Sequence, residues 1–416
     1  MMGYNSEGVI TMIKRELYLE QLRPFIDKPL IKVLTGIRRS GKSAILMMLQ
    51  DEFTQRGIGS ENIVYINFES MEYSNIDDAK SLYSFVKSKM INKLKYYILL
   101  DEIQEVKGWE KAINSFQVDF KADIYITGSN SKLLSSELAT YIAGRYIEIN
   151  VTPLSFKENL DFMKILTGTD ITDIQKEFMR FLRLGGFPII HTADYSPEEA
   201  YKIIKDIYAS AILRDIVQRN HIRNIELLER IVKYVFENIG NMFSGKKVAD
   251  YFKNQQRKVD IETVYNYLDA LEGAFIIYRV PRYDLRGKEV LQTNEKYFLG
   301  DQGLKYAVMG YKDRDISGIL ENIVFLELKR KGYQVYVGKF DDKEIDFVAE
   351  KKEQKVYVQV AYKLSEESTV EREFGVLLGI RDHYPKYVVT MEDFWQDNIE
   401  GVKHKNIAEF LLMEEY

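Results

Sequence analysis

At 416 residues the chain exceeds what one hydrophobic core organises, so about two to four domains are expected. Apolar content of 46%, 29% charged residues and a net charge of −5 describe an ordinary globular chain without a global basic footprint, so any contact with a polyanion must be local. The absence of cysteine excludes disulfides and thiolate metal sites, and four histidines leave little for an imidazole site.

No run approaches the ~18 apolar residues of a bilayer span, and the amino terminus lacks an apolar signal core, which predicts a cytoplasmic location and no membrane partner. The first eleven residues, MMGYNSEGVIT, are weakly patterned, and Met12 opens the better-organised MIKRELYLEQLRPFI. The leader reads either as a short arm or as sequence ahead of a true start at Met12.

The apolar stretch IKVLT (31–35) predicts a strand, and AILMMLQDEF (44–53) predicts a helix. Between them Gly36-Ile37-Arg38-Arg39-Ser40-Gly41-Lys42-Ser43 satisfies G-x-x-x-x-G-K-[ST] at every position, in the strand-to-helix context that this motif needs. Its glycines let backbone N–H groups turn inward on phosphates, and the helix start at Ala44 adds a favourable dipole. Residues Gly36 to Ala44 are therefore the expected ATP cradle, with Lys42 reaching the β- and γ-phosphates and the Ser43 hydroxyl on Mg²⁺. Arg38 and Arg39 either contact phosphate or pack on an adjacent lid, and the sequence does not choose between these.

IVYINFE (63–69) ends in the polar Asn67, and KYYILLDEIQEV (95–106) carries an apolar strand into Asp101 and Glu102. A buried parallel strand ending in two carboxylates would deliver Asp101 to the Mg²⁺ shell and Glu102 to the attacking water. DIYITGSNSKLL (123–134) is a further strand whose polar tip, with Ser129 and Asn130, suits contact with the γ-phosphate or the water. AGRYIEINVTPLSF (143–156) places Arg145 immediately before another strand, where it either serves catalysis or pairs with a local carboxylate such as Glu148.

From about residue 155 the periodicity turns helical, through FKENLDFMKIL and IQKEFMRFLRLGG, and Gly185-Gly186-Phe187-Pro188 ends a helix. Residues near 228–300 read as three helices and a two-stranded ribbon, an order similar to a winged helix. Arg282, Arg286 and Lys288 in the ribbon, together with Arg279, and Arg257 and Lys258 before the third helix, are candidate DNA phosphate contacts. Glu262, Asp269 and Glu272 on that helix have the wrong sign for reading a major groove. Beyond 318, Glu321 and Glu327 on a helix precede EIDFVA, with Asp346, and then VYVQVAYKL.

Together GIRRSGKS, LLDEIQ, ITGSNSKLLSSELAT, AGRYIEI, LSFKE and LGGFP resemble a prokaryotic family of AAA+ ATPases fused to a C-terminal domain related to restriction endonucleases. The resemblance implies an α/β fold: a P-loop AAA+ parallel-sheet core (1–153), a helical lid (154–235), a winged helix (236–300) and an α/β PD-(D/E)xK-like domain (301–416). It implies that Arg145 is donated across a subunit interface, hence a homo-oligomer, a ring such as a hexamer or at least a dimer. It also implies that Asn67 restrains Glu102 and that Arg183 or Arg214 is a lid arginine sensing the γ-phosphate. In the nuclease-like domain Glu321, Asp346 and Gln359 match the metal-site positions, but E-x-K reads Gln359-Val360-Ala361, which lacks the second carboxylate and the lysine. Lys363, two residues on along the same face, is a weak substitute. The expected function is an ATP-hydrolysing machine acting on DNA, branched or repair-related, with an inactive nuclease-like domain. Its rivals are a nucleotide-controlled scaffold switch that binds protein partners and an ATP-gated nuclease.

Overall fold

The computed structural model describes residues 2–4, 10–131, 144–254, 259–310, 316–364, 366–393 and 398–416. Arg257 and Lys258 lie outside the described residues. The chain divides into two units, Met1–Pro153 with Gly273–Phe275, and Leu154–Glu272 with Ile276–Tyr416.

In the first unit a short antiparallel pair, β1 (Met2–Tyr4) and β2 (Ile10–Met12), precedes helix α1 (Glu16–Leu22). Strand β3 (Ile31–Thr35) leads into α2 (Lys42–Gln55), followed by β4 (Ile63–Asn67), α3 (Ala79–Lys89), β5 (Tyr96–Asp101), α4 (Trp109–Asp119), β6 (Ala122–Gly128) and β7 (Tyr146–Asn150). The five strands β3 to β7 form a parallel sheet in the order β4-β5-β6-β3-β7. A parallel sheet covered by helices on both faces needs strands that are apolar throughout, and β3 and β5 are buried at every position.

The two-residue strand period divides β5 between two cores. Tyr96, Ile98 and Leu100 join the cluster that contains Leu82 and Val86 of α3 and Ile113 and Phe116 of α4. Tyr97 and Leu99 join Leu19 and Leu22 of α1 and Ile45 and Leu49 of α2. Asp101 comes next on that second face, at the carboxyl end. Because β5 and β6 separate β3 from β4, strand order reverses between β3 and β6, the place where open α/β sheets bind ligands. At the opposite end Lys32 and Asp123 form a fully buried ion pair. The Asp123 carboxylate also accepts from the Tyr125 hydroxyl at 2.8 Å and the Asp27 N–H at 2.8 Å.

The second unit opens with α5 (Phe156–Thr167), α6 (Ile174–Leu184) and α7 (Pro197–Ser210), which runs on as a π-helical stretch, Ala211–Gln218. Then come α8 (Ile225–Glu237), α9 (Gly245–Asn254) and α10 (Ile261–Gly273), and strands β8 (Ile277–Asp284) and β9 (Glu289–Leu299). Helices α11 (Gly303–Met309) and α12 (Ile316–Arg330) precede β10 (Gln334–Phe340), β11 (Lys343–Lys351) and β12 (Gln354–Val360). Helix α13 (Glu367–Leu378), β13 (Lys386–Thr390), β14 (Asn398–Ile399), β15 (Val402–Asn406) and α14 (Ile407–Leu412) complete it.

Strands β8 to β15 form one mixed sheet in the order β14-β15-β13-β12-β11-β10-β8-β9. This corrects the expected ribbon of a separate module ending at residue 300. Val337, Gly338 and Lys339 of β10 pair in parallel with Arg282, Tyr283 and Asp284 of β8, so a boundary at 300 cuts a continuous sheet. The reason is burial: Ile277, Val280, Tyr297, Phe298 and Leu299 are all buried, and an isolated two-stranded ribbon cannot cover so much apolar surface. Phe298 stacks on Phe325 of α12 with centroids 4.8 Å apart.

The Gly185-Gly186 break is built around a buried carboxyl. Gly186 N–H and Gly303 N–H donate to the two Asp301 oxygens at 2.7 and 2.8 Å. Gly185 has φ +78, and a Cβ there would sit 2.0 Å from Asp301 Oδ1. Burial pushes Asp301 up to about 7, opposed by those two N–H groups. A carboxyl with its pKa raised in the folded state contributes stability that is full below its unfolded value and is lost as pH rises through the folded one. For Asp301 that window runs from its unfolded pKa, about 4, to about 7. Asp301→Asn removes the titration but leaves a hydrogen bond unmade, about 1–3 kcal/mol. Urea unfolding at a series of pH values is therefore expected to show a cost for Asp301→Asn that shrinks from pH 4.5 to 7.5.

Candidate nucleotide-binding site

The site grows from the carboxyl ends of β3, β5 and β6. The loop after β3 turns through three left-handed residues, Gly36 (φ 144), Arg39 (φ 67) and Gly41 (φ 101). Gly36 is obligatory on contact grounds too, since a Cβ would lie 2.1 Å from the Val151 carbonyl oxygen. Lys42 is buried and donates to the Gly36 and Ile37 carbonyls at 2.9 and 3.2 Å. Its Nζ is 4.0 Å from Glu102 Oε1. The Ser40 hydroxyl is buried without a hydrogen-bond partner among the described residues.

Asp101 and Glu102 are fixed by one hydroxyl. Thr127 Oγ1 donates to Asp101 Oδ1 at 2.5 Å and accepts the Glu102 N–H at 2.9 Å. Glu102 leaves the strand with φ 54, which swings its side chain out of the strand's alternation, and Gln104 Nε2 donates to its carboxylate. Burial pushes Asp101 above the usual carboxylate range, against the Thr127 hydrogen bond and the nearby Ser43 hydroxyl, which favour the charged form. Ser43, in the first turn of α2, is thus near enough to Asp101 to favour its charge. Ser129 and Asn130 follow β6, the neighbour of β3, and both are buried. A glycine-shaped cradle, an orphan buried hydroxyl, a central lysine and a hydroxyl–carboxylate pair fit a triphosphate with Mg²⁺.

Several sequence-derived placements change. Asn67 lies beside Asp101 in the sheet register, yet its Oδ1 accepts from Glu69 N–H at 2.9 Å, and Gln104, not Asn67, holds Glu102. Arg38 is buried and pairs with Glu69 at 2.7 Å, tying the loop to the segment after β4, whereas Arg39 is exposed. Arg145 is exposed at the amino end of β7, where its carbonyl accepts from Ile31 N–H, so it stands at the far edge of its own sheet from Lys42. It does not pair with Glu148, whose carboxylate accepts the Thr35 hydroxyl at 2.6 Å. Arg183 and Arg214 are exposed, in the last turn of α6 and in the π-helical stretch.

Sequence reasoning missed Arg15. Its guanidinium is 1% exposed and donates to the carbonyls of Ser40 at 2.7 Å, Thr152 at 2.9 Å and Pro153 at 3.4 Å. It also lies over the Tyr18 ring, 4.6 Å from the centroid, and the Tyr18 hydroxyl meets the Thr152 side chain at 3.0 Å. With Val151 N–H bonded to the Thr35 carbonyl at 2.7 Å, the phosphate loop and the strand exit at 151–153 share one hydrogen-bonded frame.

In the second unit Glu321 of α12, Asp346 of β11 and Gln359 of β12 converge. Asp346 N–H donates to Gln359 Oε1 at 2.6 Å, Gln359 Nε2 donates to Glu373 at 2.8 Å, and Val360 N–H donates to the Asp346 carboxylate at 2.8 Å. Lys363 is exposed, and Glu327 pairs instead with Arg330 at 2.5 Å. Lys296 of β9, which sequence reasoning did not single out, reaches the carboxylates of Glu321 at 3.1 Å, Glu344 at 2.7 Å and Asp346 at 3.6 Å. Of the expected DNA contacts, Arg286 pairs with Asp341 at 2.5 Å and Arg279 with Asp269 at 2.5 Å, while Arg282 and Lys288 form no ion pair among the described residues.

Arg15→Ala strands the buried carbonyls of Ser40, Thr152 and Pro153 and is expected to lower stability by about 3 kcal/mol. Arg15→Lys, which keeps a donor, should recover part of that loss in urea unfolding.

Residues 28–160 match the AAA domain family, and residues 175–315 match a domain of unknown function. An uncharacterized protein of Haemophilus influenzae is 42% identical over 402 residues, 96% of this chain and 99% of that protein. An uncharacterized protein of Methanocaldococcus jannaschii is 32% identical over 354 residues, 82% of this chain and 77% of its own length. Among solved structures, a Walker-type ATPase of Pyrococcus abyssi superposes with a TM-score of 0.52 at 14% identity, covering 74% of this chain and 98% of that one, which is a likeness of fold. With a P-loop core whose strand order and phosphate cradle are of the AAA type, the chain belongs to one family with the Haemophilus and Methanocaldococcus proteins, and its amino-terminal part is an AAA domain.

Proposed function

We propose that the protein is an Mg²⁺-dependent ATPase that works as a homo-oligomer on DNA. The observation that carries the hydrolytic reading is the convergence of Lys42, Asp101 and Glu102 on one carboxyl edge, with Thr127 holding the Asp101 carboxylate and the Glu102 backbone N–H. In this reading the N–H groups of Gly36 to Ala44 cradle the phosphates, and Ser43 and Asp101 hold Mg²⁺. Bound Mg²⁺ supplies charge neutralisation at the phosphates. Glu102 orients the attacking water and accepts its proton, and Ser129 and Asn130 contact the γ-phosphate side. Arg145 serves the site of a neighbouring copy, because it lies at the edge of its sheet remote from its own cradle. A fixed cation there stabilises charge developing in the transition state.

In the second unit we read residues 154–235 as the lid, with Arg183 or Arg214 as its sensor, and residues 236–300, with α9, α10 and the β8–β9 hairpin, as a winged-helix-like part. The adjacency of Glu321, Asp346 and Gln359 supports a restriction-endonuclease-like fold for β10 to β13 with α12. Arg282, Arg286 and Lys288 are the proposed DNA contacts. The pairing of Arg279 and Arg286 with this chain's own carboxylates thins that basic footprint and favours the second reading, a nucleotide-controlled switch binding protein.

Glu102→Gln is expected to retain ATP binding and to lower the hydrolysis rate at least about 100-fold, whereas Lys42→Ala should lose both. A normal rate in Glu102→Gln would remove Glu102 from its role. Wild-type activity per subunit should rise with protein concentration, and Arg145→Ala should be slow at every concentration. Hydrolysis should be stimulated by duplex or branched DNA at low salt and lose that stimulation as salt rises; no stimulation at any salt favours the switch.

A further inference from the structure

The carboxylates of Glu321, Glu344 and Asp346 surround a position that is already filled. The Lys296 ammonium is 3% exposed, and its three N–H donors face three carboxylates, at 3.1, 2.7 and 3.6 Å. The remaining groups near it are satisfied among themselves: Gln359 bridges Asp346 N–H and Glu373, and Glu373 in turn accepts from Arg372 at 2.7 Å.

The lysine is also held from behind. Its residue bridges Met242, Gly240 N–H bonds the Tyr297 carbonyl at 3.2 Å, and Phe243 N–H bonds the Glu295 carbonyl at 2.8 Å. A Cβ on Gly240 would lie 3.0 Å from Glu321 Oε2, so the α8–α9 connection closes over this carboxylate.

A divalent ion bound by these oxygens would lie within a few ångströms of a positive group that offers no lone pair. Two cations a few ångströms apart in a buried setting repel by several kcal/mol, and the flanking strand pairing fixes the backbone from which the lysine reaches in.

We infer that Lys296 is the resident cation of this cluster, a covalently tethered stand-in for a divalent metal, and that its carboxylates serve to clamp the β8–β9 hairpin onto α12 and β11. The nuclease-like pocket is then a structural joint that takes no metal. This stands independently of the ATPase reading.

The test uses the full chain with Ser43→Ala and Asp101→Asn, free of nucleotide, so that the phosphate site holds no metal. Mn²⁺ binding is followed by electron paramagnetic resonance, and stability by thermal unfolding. This parent should bind no Mn²⁺ that depends on Asp346. Adding Lys296→Ala should lower the melting temperature, create one Mn²⁺ site, and let Mn²⁺ restore the melting temperature; adding Asp346→Asn should abolish that site and the rescue. Mn²⁺ binding by the parent that Asp346→Asn removes would overturn the inference, as would a folded Lys296→Ala protein with no added Mn²⁺ site. If Lys296→Ala does not fold even with Mn²⁺, the parent titration alone decides by the same criterion.

Discussion

One hydroxyl group sets the geometry on which the candidate site depends. Thr127, at the end of β6, gives its proton to Asp101 and takes the N–H of Glu102, so a single side chain on one strand holds a carboxylate and the backbone of the residue after it on the neighbouring strand. The N–H bond holds Glu102 where its backbone enters the left-handed region, an arrangement that costs a non-glycine residue about 1–3 kcal/mol and is repaid by the surrounding bonds. Without it, strand alternation would send the two carboxylates to opposite faces of the sheet. Two carboxylates from adjacent positions therefore reach one site.

Buried charge recurs through both units, each time with a different solution. Lys32 and Asp123 neutralise one another within the sheet, aided by Tyr125. Lys296 is shared among three carboxylates. Asp301 has no neighbouring cation within ion-pair distance among the described residues; it accepts two backbone N–H groups, and burial raises its pKa toward neutrality. Near it His191, driven down to about 4 by burial, hydrogen-bonds the Gly185 carbonyl as a neutral ring. Such groups stabilise little in themselves, since desolvation offsets most of the attraction, but they permit few alternative packings.

The phosphate loop, the Asp101–Glu102 strand end and the parallel core were legible because their signals are local: an eight-residue motif, apolar runs and polar strand tips. What escaped was non-local. Nothing around Arg15 distinguishes it from any arginine opening a helix, and its partners Thr152 and Pro153 lie far along the chain. Lys296 sits in EKYFLGD, which reads as a strand but carries no hint of which carboxylates it will meet. The ribbon itself was recognised, but its pairing with β10 depends on chain more than fifty residues downstream. Asn67 illustrates the opposite error, a residue in the expected place whose side chain turns to its own loop while Gln104 takes the task.

Arg15 has a bearing on what counts as a domain here. The stretch recognisable as an AAA domain spans residues 28–160, yet the guanidinium that fastens Ser40 to the chain's exit from the sheet comes from outside it. A fragment cut at those limits would keep Gly36 to Ser43 and both carboxylates, while losing α1, its share of the α2-side core and the support beneath the loop. Sequence likeness marks the nucleotide-facing half of this module, and the folding unit is the larger object.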